Sequence, residues 1–502
     1  MSESSTVTAS SDVMGHPRGL STLFFTEMWE RFSYYGMRAL LVLFMTNQVV
    51  TGGLGFDDRT ATAIYGLYTA AVYLVALPGG WIADRLLGAQ RSVWFGGIII
   101  MTGHFVLAVP TIEAFFLGLV LVVLGTGLLK PNISAIVGEL YAQNDARRDA
   151  GFTIFYMGIN LGAAFGPLVC STLGESERFG WHYGFAAAGV GMLLGLIQFK
   201  LSAKHLGDAG RLPSTTGDAA KDAAQQRKGW VGVGIAMGFI TLLVGAALTG
   251  VIQFDAASLA TVMTYVIVSV AAVYFVYMLF FAGLDPVEKK RMIVIIILFF
   301  AAAMFWSGFE QAGSSLNLFA ERYTDRMIGS FEIPAGWFQS LNAVFIIILA
   351  PFYAAAWVAL AKRNLEPSTP FKFALGLIIL AMGFLTMVVA AGIVAKGDQA
   401  LPTWLIMTYL LHTMGELTLS PVGLSATTKL APKRYVGQMM GIWFLAASLG
   451  NLIAGLIAGE FDAENVGAMP DQYMQIVLTT GGAGLLLMLF TKPVRKLMGG
   501  VH

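Results

Sequence analysis

Apolar runs about as long as a bilayer core is thick recur along this chain, and they leave few folds open to it. A helix needs roughly 20 residues to cross about 30 Å of hydrocarbon. Runs of that length, separated by charged or Gly/Pro breaks, predict fourteen membrane helices centred near Leu40, Tyr73, Ile100, Leu121, Gly162, Gly191, Gly238, Val270, Phe305, Ile346, Leu380, Leu411, Leu449 and Leu486. Backbone groups in lipid must be bonded within a helix or around a closed barrel. A barrel would show short segments of alternating hydrophobicity, and none is visible. The fold class is therefore an all-α polytopic membrane protein. Composition agrees, with 56% hydrophobic and 12% charged residues. A net charge of +1 gives no reason to expect nucleic acid as a partner. The single cysteine, Cys170, has no internal disulfide partner and reads as a small packing residue.

An even number of spans puts both termini on one side. Most Lys and Arg between the spans fall on that side, among them Arg147, Arg148, Lys204, Lys289, Lys290, Lys433 and Arg434, whereas Arg59, Arg178, Arg322, Arg326 and Lys396 fall on the other. Positive charge marks the cytoplasmic side, so both termini are expected there. Residues 1–18 form a polar tail without the pattern of a secretory signal. The expected organisation continues with a six-helix bundle over 19–204, a polar cytoplasmic linker over 205–229 that includes Pro213, Ser214, Thr215 and Thr216, a transmembrane hairpin over 230–282, a second six-helix bundle over 283–496 and a tail over 497–502. The hairpin spans, Trp230 to Thr249 and Ala257 to Phe281, contain no charged side chain, and Gly232, Gly234 and Gly238 read as close-packing positions rather than a dinucleotide loop.

The two bundles repeat one another. Gly125-Thr-Gly-Leu-Leu-Lys-Pro131 matches Gly415-Glu-Leu-Thr-Leu-Ser-Pro421, and Phe155-Tyr-Met-Gly-Ile-Asn-Leu-Gly162 matches Trp443-Phe-Leu-Ala-Ala-Ser-Leu-Gly450. Parallel repeats of this kind build carriers of the major facilitator superfamily, which bind substrate near the midplane. Gly80-Trp-Ile-Ala-Asp-Arg-Leu-Leu-Gly88, followed by Arg91, resembles that superfamily's loop between helices 2 and 3. The expected architecture is a major facilitator fold of two six-helix bundles plus an inserted two-helix hairpin.

Charged side chains are costly inside a bilayer and normally face a partner or a wet cavity. Here the first span carries Glu27, Glu30, Arg31 and Arg38, the fourth Lys130, the ninth Glu310, and the twelfth His412 and Glu416. With the hairpin set aside, these are helices 1, 4, 7 and 10. Glu27, Arg31, Tyr34 and Arg38 fall on one helical face, as would Trp306, Glu310, Ser314 and Asn317, and His412, Glu416 and Ser420. Their placement suggests Arg38 facing Glu310 and Lys130 facing Glu416. A carboxylate that is ion-paired in one state and proton-bound in another is a coupling device.

Glu27-Met-Trp-Glu-Arg-Phe-Ser-Tyr-Tyr-Gly36 closely resembles the signature of the proton-dependent oligopeptide transporters, and the resemblance runs from about Thr22 to Lys496 outside the hairpin. The hairpin itself resembles the extra pair of bacterial members. The resemblance implies proton-coupled symport of di- and tripeptides by alternating access in a bacterial inner membrane. It implies that Arg38 and Lys130 hold the peptide carboxylate, and that Glu416 with Asn160 and Asn342 holds its ammonium. Tyr34, Tyr35 and Tyr73 would contact the peptide backbone, and Trp306, Trp443 and Ser420 would shape the side-chain pockets. Glu310 would be the leading proton site, coupled to Glu27 and Glu30 beside Arg31. Many members carry a His after the tyrosine corresponding to Tyr65, and this chain has Gly66 there.

The expected partners are short peptides, protons and lipid, with no metal or cofactor beyond the coupling proton and a monomer as the working unit. An enzyme is disfavoured by the lack of His-Glu-x-x-His, Walker-type and Gly-x-Ser-x-Gly motifs. The competing transport reading is a proton-coupled carrier of nitrate or another small organic anion. Glu416 together with Arg38 and Lys130 favours a zwitterion over an anion, because a zwitterion entering a dry cavity needs counter-charges at both ends.

Overall fold

The computed structural model describes residues 15–142, 145, 147–212, 219–251, 255–461 and 465–500. The tail up to residue 14, the Pro213-Ser214-Thr215-Thr216 stretch and the last two residues lie outside these. The fourteen apolar runs correspond to α1 (Arg18–Thr46), α2 (Asp58–Leu74), α3 (Ala89–Leu107), α4 (Ile112–Glu139), α5 (Arg148–Gly174), α6 (Trp181–Ser202), α7 (Ala219–Leu248), α8 (Ala256–Phe280), α9 (Pro286–Phe309), α10 (Ser340–Lys362), α11 (Thr369–Val394), α12 (Pro402–Leu430), α13 (Val436–Ala458) and α14 (Met469–Leu489). Eleven helices among the described residues are long and apolar enough to cross a membrane. The remaining three, α1, α3 and α12, are less apolar or more charged. A two-stranded ribbon, Met327–Ile328 paired with Phe331–Glu332, precedes α10.

The sequence repeat is a repeat of helix crossings. A Cβ on Gly125 of α4 would meet the Gly96 carbonyl of α3 at 2.6 Å, and one on Gly415 of α12 would meet the Gly376 carbonyl of α11 at 2.9 Å. Likewise Gly162 of α5 lies against the backbone of Met28 and Phe32 in α1, while Gly450 of α13 lies against Ala303 and Ser307 in α9. Small residues let helix backbones approach closely where lipid supplies no hydrophobic drive between helices. The matched prolines, Pro131 and Pro421, both lie inside their helices. Each removes a backbone donor there and favours a bend.

The chain forms two compact units whose boundary does not follow the two sequence halves. One comprises 1–37, 75–166 and 182–253; the other comprises 38–74, 167–181 and 254–502. The second unit thus contains the late part of α1, all of α2 and the end of α5 along with the C-terminal helices. Of the hairpin, α7 belongs to the first unit and α8 to the second. The polar linker ends earlier than its composition suggests: α7 is helical from Ala219, eleven residues before the expected start at Trp230. The segment Ala219-Ala-Lys-Asp-Ala-Ala-Gln-Gln-Arg-Lys228 is made almost wholly of strong helix formers, so the helix extends beyond its apolar part.

Candidate substrate and proton site

In the first unit, Glu27, Glu30 and Arg31 form a buried cluster on α1. Arg31 Nε pairs with Glu27 Oε1 at 3.2 Å and, more closely, with Glu30 Oε2. Two carboxylates therefore share one guanidinium, and Glu27 Oε2 and Glu30 Oε1 have no hydrogen-bond partner among the described residues. The guanidinium also lies 5.1 Å from the Tyr34 ring centre, and Tyr34 meets Tyr35 edge-on. Lys130 is half-buried on α4 and acts electrostatically on Glu27. Asn160 on α5 is buried, with its Nδ2 donating to the Tyr156 carbonyl one turn earlier.

In the second unit, Arg38 meets Glu310 as the sequence suggested. Its Nη2 donates to Glu310 Oε2 at 2.7 Å and its Nε to the Tyr65 hydroxyl at 2.6 Å. All three side chains are buried. Taking two charges out of water costs several kcal/mol per ion unless geometry and further hydrogen bonds compensate. The pair thus supplies a strong conditional link between α1 and the α9 segment, and it weakens when either partner changes charge.

Glu310 does not lie on an unbroken helix. The α-helix ends at Phe309, Glu310–Gly313 form a 3₁₀ turn, and a short helix restarts over Ser315–Tyr323. The expected face Trp306–Glu310–Ser314–Asn317 is therefore interrupted, and Ser314 adopts φ −124°, ψ −98°. At the break the Tyr65 hydroxyl sits where a Cβ on Gly313 would be, so this turn has room only for glycine. Beyond the break, Asn317 Nδ2 donates to the Ala39 carbonyl at 2.8 Å, next to Arg38. Trp306 Nε1 is buried without a partner among the described residues, leaving a donor for a ligand.

Glu416 on α12 accepts from Asn342 Nδ2 of α10 at 2.9 Å, and the same amide donates to Thr413 Oγ1 at 3.0 Å. A carboxylate and an amide expected to share one role are thus directly bonded. His412 is not on their line. Its ring lies 4.7 Å from that of Phe384 and fills the space facing Gly383 on α11, so it packs in the core. Trp443 is likewise buried, edge-on to Phe373 and over Gly423. Tyr73 and Ser420 are half-buried.

Gly66 has a packing reason. A Cβ there would meet the Asn451 carbonyl at 3.0 Å and the Gly455 Cα at 3.1 Å, where α2 crosses α13. Gly66→Leu should therefore lower stability by about 1–3 kcal/mol, the usual cost of overpacking. A fall in the thermal midpoint of the purified protein checks this, and an unchanged midpoint contradicts it.

Sequence reasoning missed a further set of contacts within the second unit. Arg322 holds Asp58 by two parallel bonds of 2.6 and 2.8 Å. Glu175, just past α5, accepts from the backbone N–H groups of Ala335 and Gly336 at 2.6 and 2.9 Å. Burial pushes its carboxyl up to about 7, against the pull of those two donors and of Arg326, while Glu321 adds to the rise. Charges at helix ends resemble ordinary solvated loop charges, so the sequence carries no local signal for these pairs.

The sequence and its fold have counterparts among known proteins. The family model described as the POT family matches residues 90–473. This chain belongs to the POT family. It is 44% identical to a peptide transporter of Yersinia enterocolitica, covering 97% of this chain and 96% of the relative. It is 38% identical to a di-/tripeptide transporter of Lactococcus lactis, covering 97% and 98%. Against the crystal structure of a peptide transporter POT in complex with sulfate, it has a TM-score of 0.89 at 41% identity, covering 98% of each chain. POT proteins are transporters rather than enzymes. The POT fold seen here is the major facilitator architecture expected from the repeat.

Proposed function

We propose that this protein carries di- and tripeptides into the cell together with protons, by alternating access across a bacterial inner membrane, with both termini cytoplasmic. The observation that carries the reading is the buried Arg38–Glu310 pair, 2.7 Å long and shared with Tyr65. Arg38 is the anchor for the peptide carboxylate, and Glu310 is the base left free when Arg38 turns to that carboxylate. A proton taken up by Glu310 then keeps the separated pair from leaving a bare charge in a dry site. Glu416 with Asn342 is the ammonium anchor. Lys130 and Asn160 supply a second cation and an amide, Tyr34, Tyr35 and Tyr73 contact the peptide backbone, and Trp306, Trp443 and Ser420 bound the side-chain pockets. The Glu27–Glu30–Arg31 cluster acts with Glu310 in coupling.

Relatives named as peptide and di-/tripeptide transporters, and the presence of Glu416 as well as the cations Arg38 and Lys130, favour a zwitterionic substrate over nitrate. Counterflow tests this. Proteoliposomes preloaded with unlabelled dialanine should accumulate labelled dialanine transiently, and nitrate preloading should not. Counterflow driven by nitrate alone would make the anion reading the better one. A monomer is the expected working unit.

A second expectation concerns the α1 cluster. Because two carboxylates share Arg31, Glu27→Gln or Glu30→Gln should leave peptide exchange intact and abolish uphill transport. Wild-type accumulation by either variant would make the cluster structural.

A further inference from the structure

The end of α5 is fastened to the beginning of α10 by contacts that the proposed transport cycle does not yet use. Glu175 follows α5 directly, and its two carboxylate oxygens accept from Ala335 and Gly336, the first two residues of a helical segment that runs on to Lys362. The first N–H groups of a helix have no partner within it, so a carboxylate placed there both satisfies them and faces the positive end of the helix dipole. Trp337 adds a second arm from the same turn: its Nε1 donates to the Leu168 carbonyl at 3.1 Å and to Thr172 Oγ1 at 2.9 Å. Gly336 has no room for a side chain, because Ser171 and Glu175 occupy the space a Cβ would take. Two turns further along, this segment carries Asn342, which holds Glu416.

We propose that Glu175, supported by Trp337, is a latch that ties α5 to α10 while this end of the second unit is shut and that must let go for the end to open. Asp58–Arg322 and Asn317 with the Ala39 carbonyl also join elements of the second unit, and Glu175 differs from them in gripping the backbone N–H groups at the start of the helix that positions the Glu416 partner. The latch also responds to protons. The groups facing Glu175 are Arg326, itself paired with Glu332, and Glu321. In the shut site the carboxyl titrates near 7, whereas a carboxyl returned to water titrates near its ordinary 4.5. Shutting therefore takes up a proton between these values, and acid favours the shut form.

This inference rests on the alternating-access reading, so its test measures conformation separately from transport. In a Cys170→Ala background, spin labels at Glu177→Cys and Ser330→Cys, both exposed positions, report the distance between the α5 end and the ribbon before α10. At pH 5.5, where the shut site holds its proton, Glu175→Ala should raise the ratio of long to short distances about tenfold, the scale of losing one hydrogen bond. Trp337→Phe should shift it in the same direction and serves if the alanine variant does not fold. Acidification to pH 5.5 should favour the short distance more in the parent protein than in Glu175→Ala. Unchanged distance distributions in both variants would overturn the latch, and an equal acid response in parent and Glu175→Ala would overturn its proton linkage. Retained dialanine counterflow in the same samples keeps a failed latch distinct from a failed transport reading.

Discussion

Glu310→Gln should abolish gradient-driven peptide accumulation and leave a folded protein that still exchanges peptide across the membrane. Glutamine keeps the size of the side chain and an oxygen that can accept from Arg38, so the 2.7 Å contact has a neutral substitute. Removing one partner of a buried ion pair outright would cost about 3–5 kcal/mol; the amide avoids most of that while removing the only proton-accepting function at this position. Exchange needs no net proton movement, and accumulation does. Labelled dialanine uptake in proteoliposomes, measured in both modes, checks the split. Full proton-driven accumulation by Glu310→Gln would remove this carboxylate from coupling.

Acetylating the N-terminus of a dipeptide should weaken its competition for the site by about tenfold or more, and this penalty should largely disappear in Glu416→Gln. A hydrogen bond to a charged group contributes about 1.5–3 kcal/mol, and about 1.4 kcal/mol is a factor of ten. On the proposed reading the ammonium and Glu416 form such a pair, while Asn342 donates to the carboxylate at 2.9 Å. Amidating the C-terminus should show the matching dependence on Arg38 and Lys130. Competition against labelled dialanine in exchange mode keeps lost coupling from masking binding. Equal competition by acetylated and free dipeptides in the parent protein would remove Glu416 as the ammonium anchor.

The helices were legible because lipid imposes a length and an apolarity that composition alone reveals. The Arg38–Glu310 pair was legible for a related reason: isolated charges inside apolar spans must find partners. The break at Glu310–Gly313 was not, since nothing in Phe309-Glu-Gln-Ala-Gly-Ser-Ser315 forbids a helix, and the close approach of the Tyr65 hydroxyl to Gly313 comes from α2. His412 lies one turn from Glu416 on the same continuous helix, and packing against Phe384 and Gly383 determines where its ring goes. The matched glycines were visible as a repeat, but their purpose, close crossings onto Gly96 and Gly376, needed the neighbouring helices. Asp58, Glu175 and Arg322 lie at helix ends, where a charge is ordinary until its partner is seen.

Uptake of labelled dialanine into proteoliposomes, with and without an inward proton gradient, tests proton-coupled peptide transport most directly. A gradient of one pH unit supplies about 1.4 kcal/mol per proton, enough to concentrate a neutral zwitterion up to about tenfold if one proton accompanies each peptide. The account predicts accumulation above the external concentration when the gradient is present, its collapse on adding a protonophore, and equilibration only when the gradient is absent. Equal uptake with and without the gradient would contradict it.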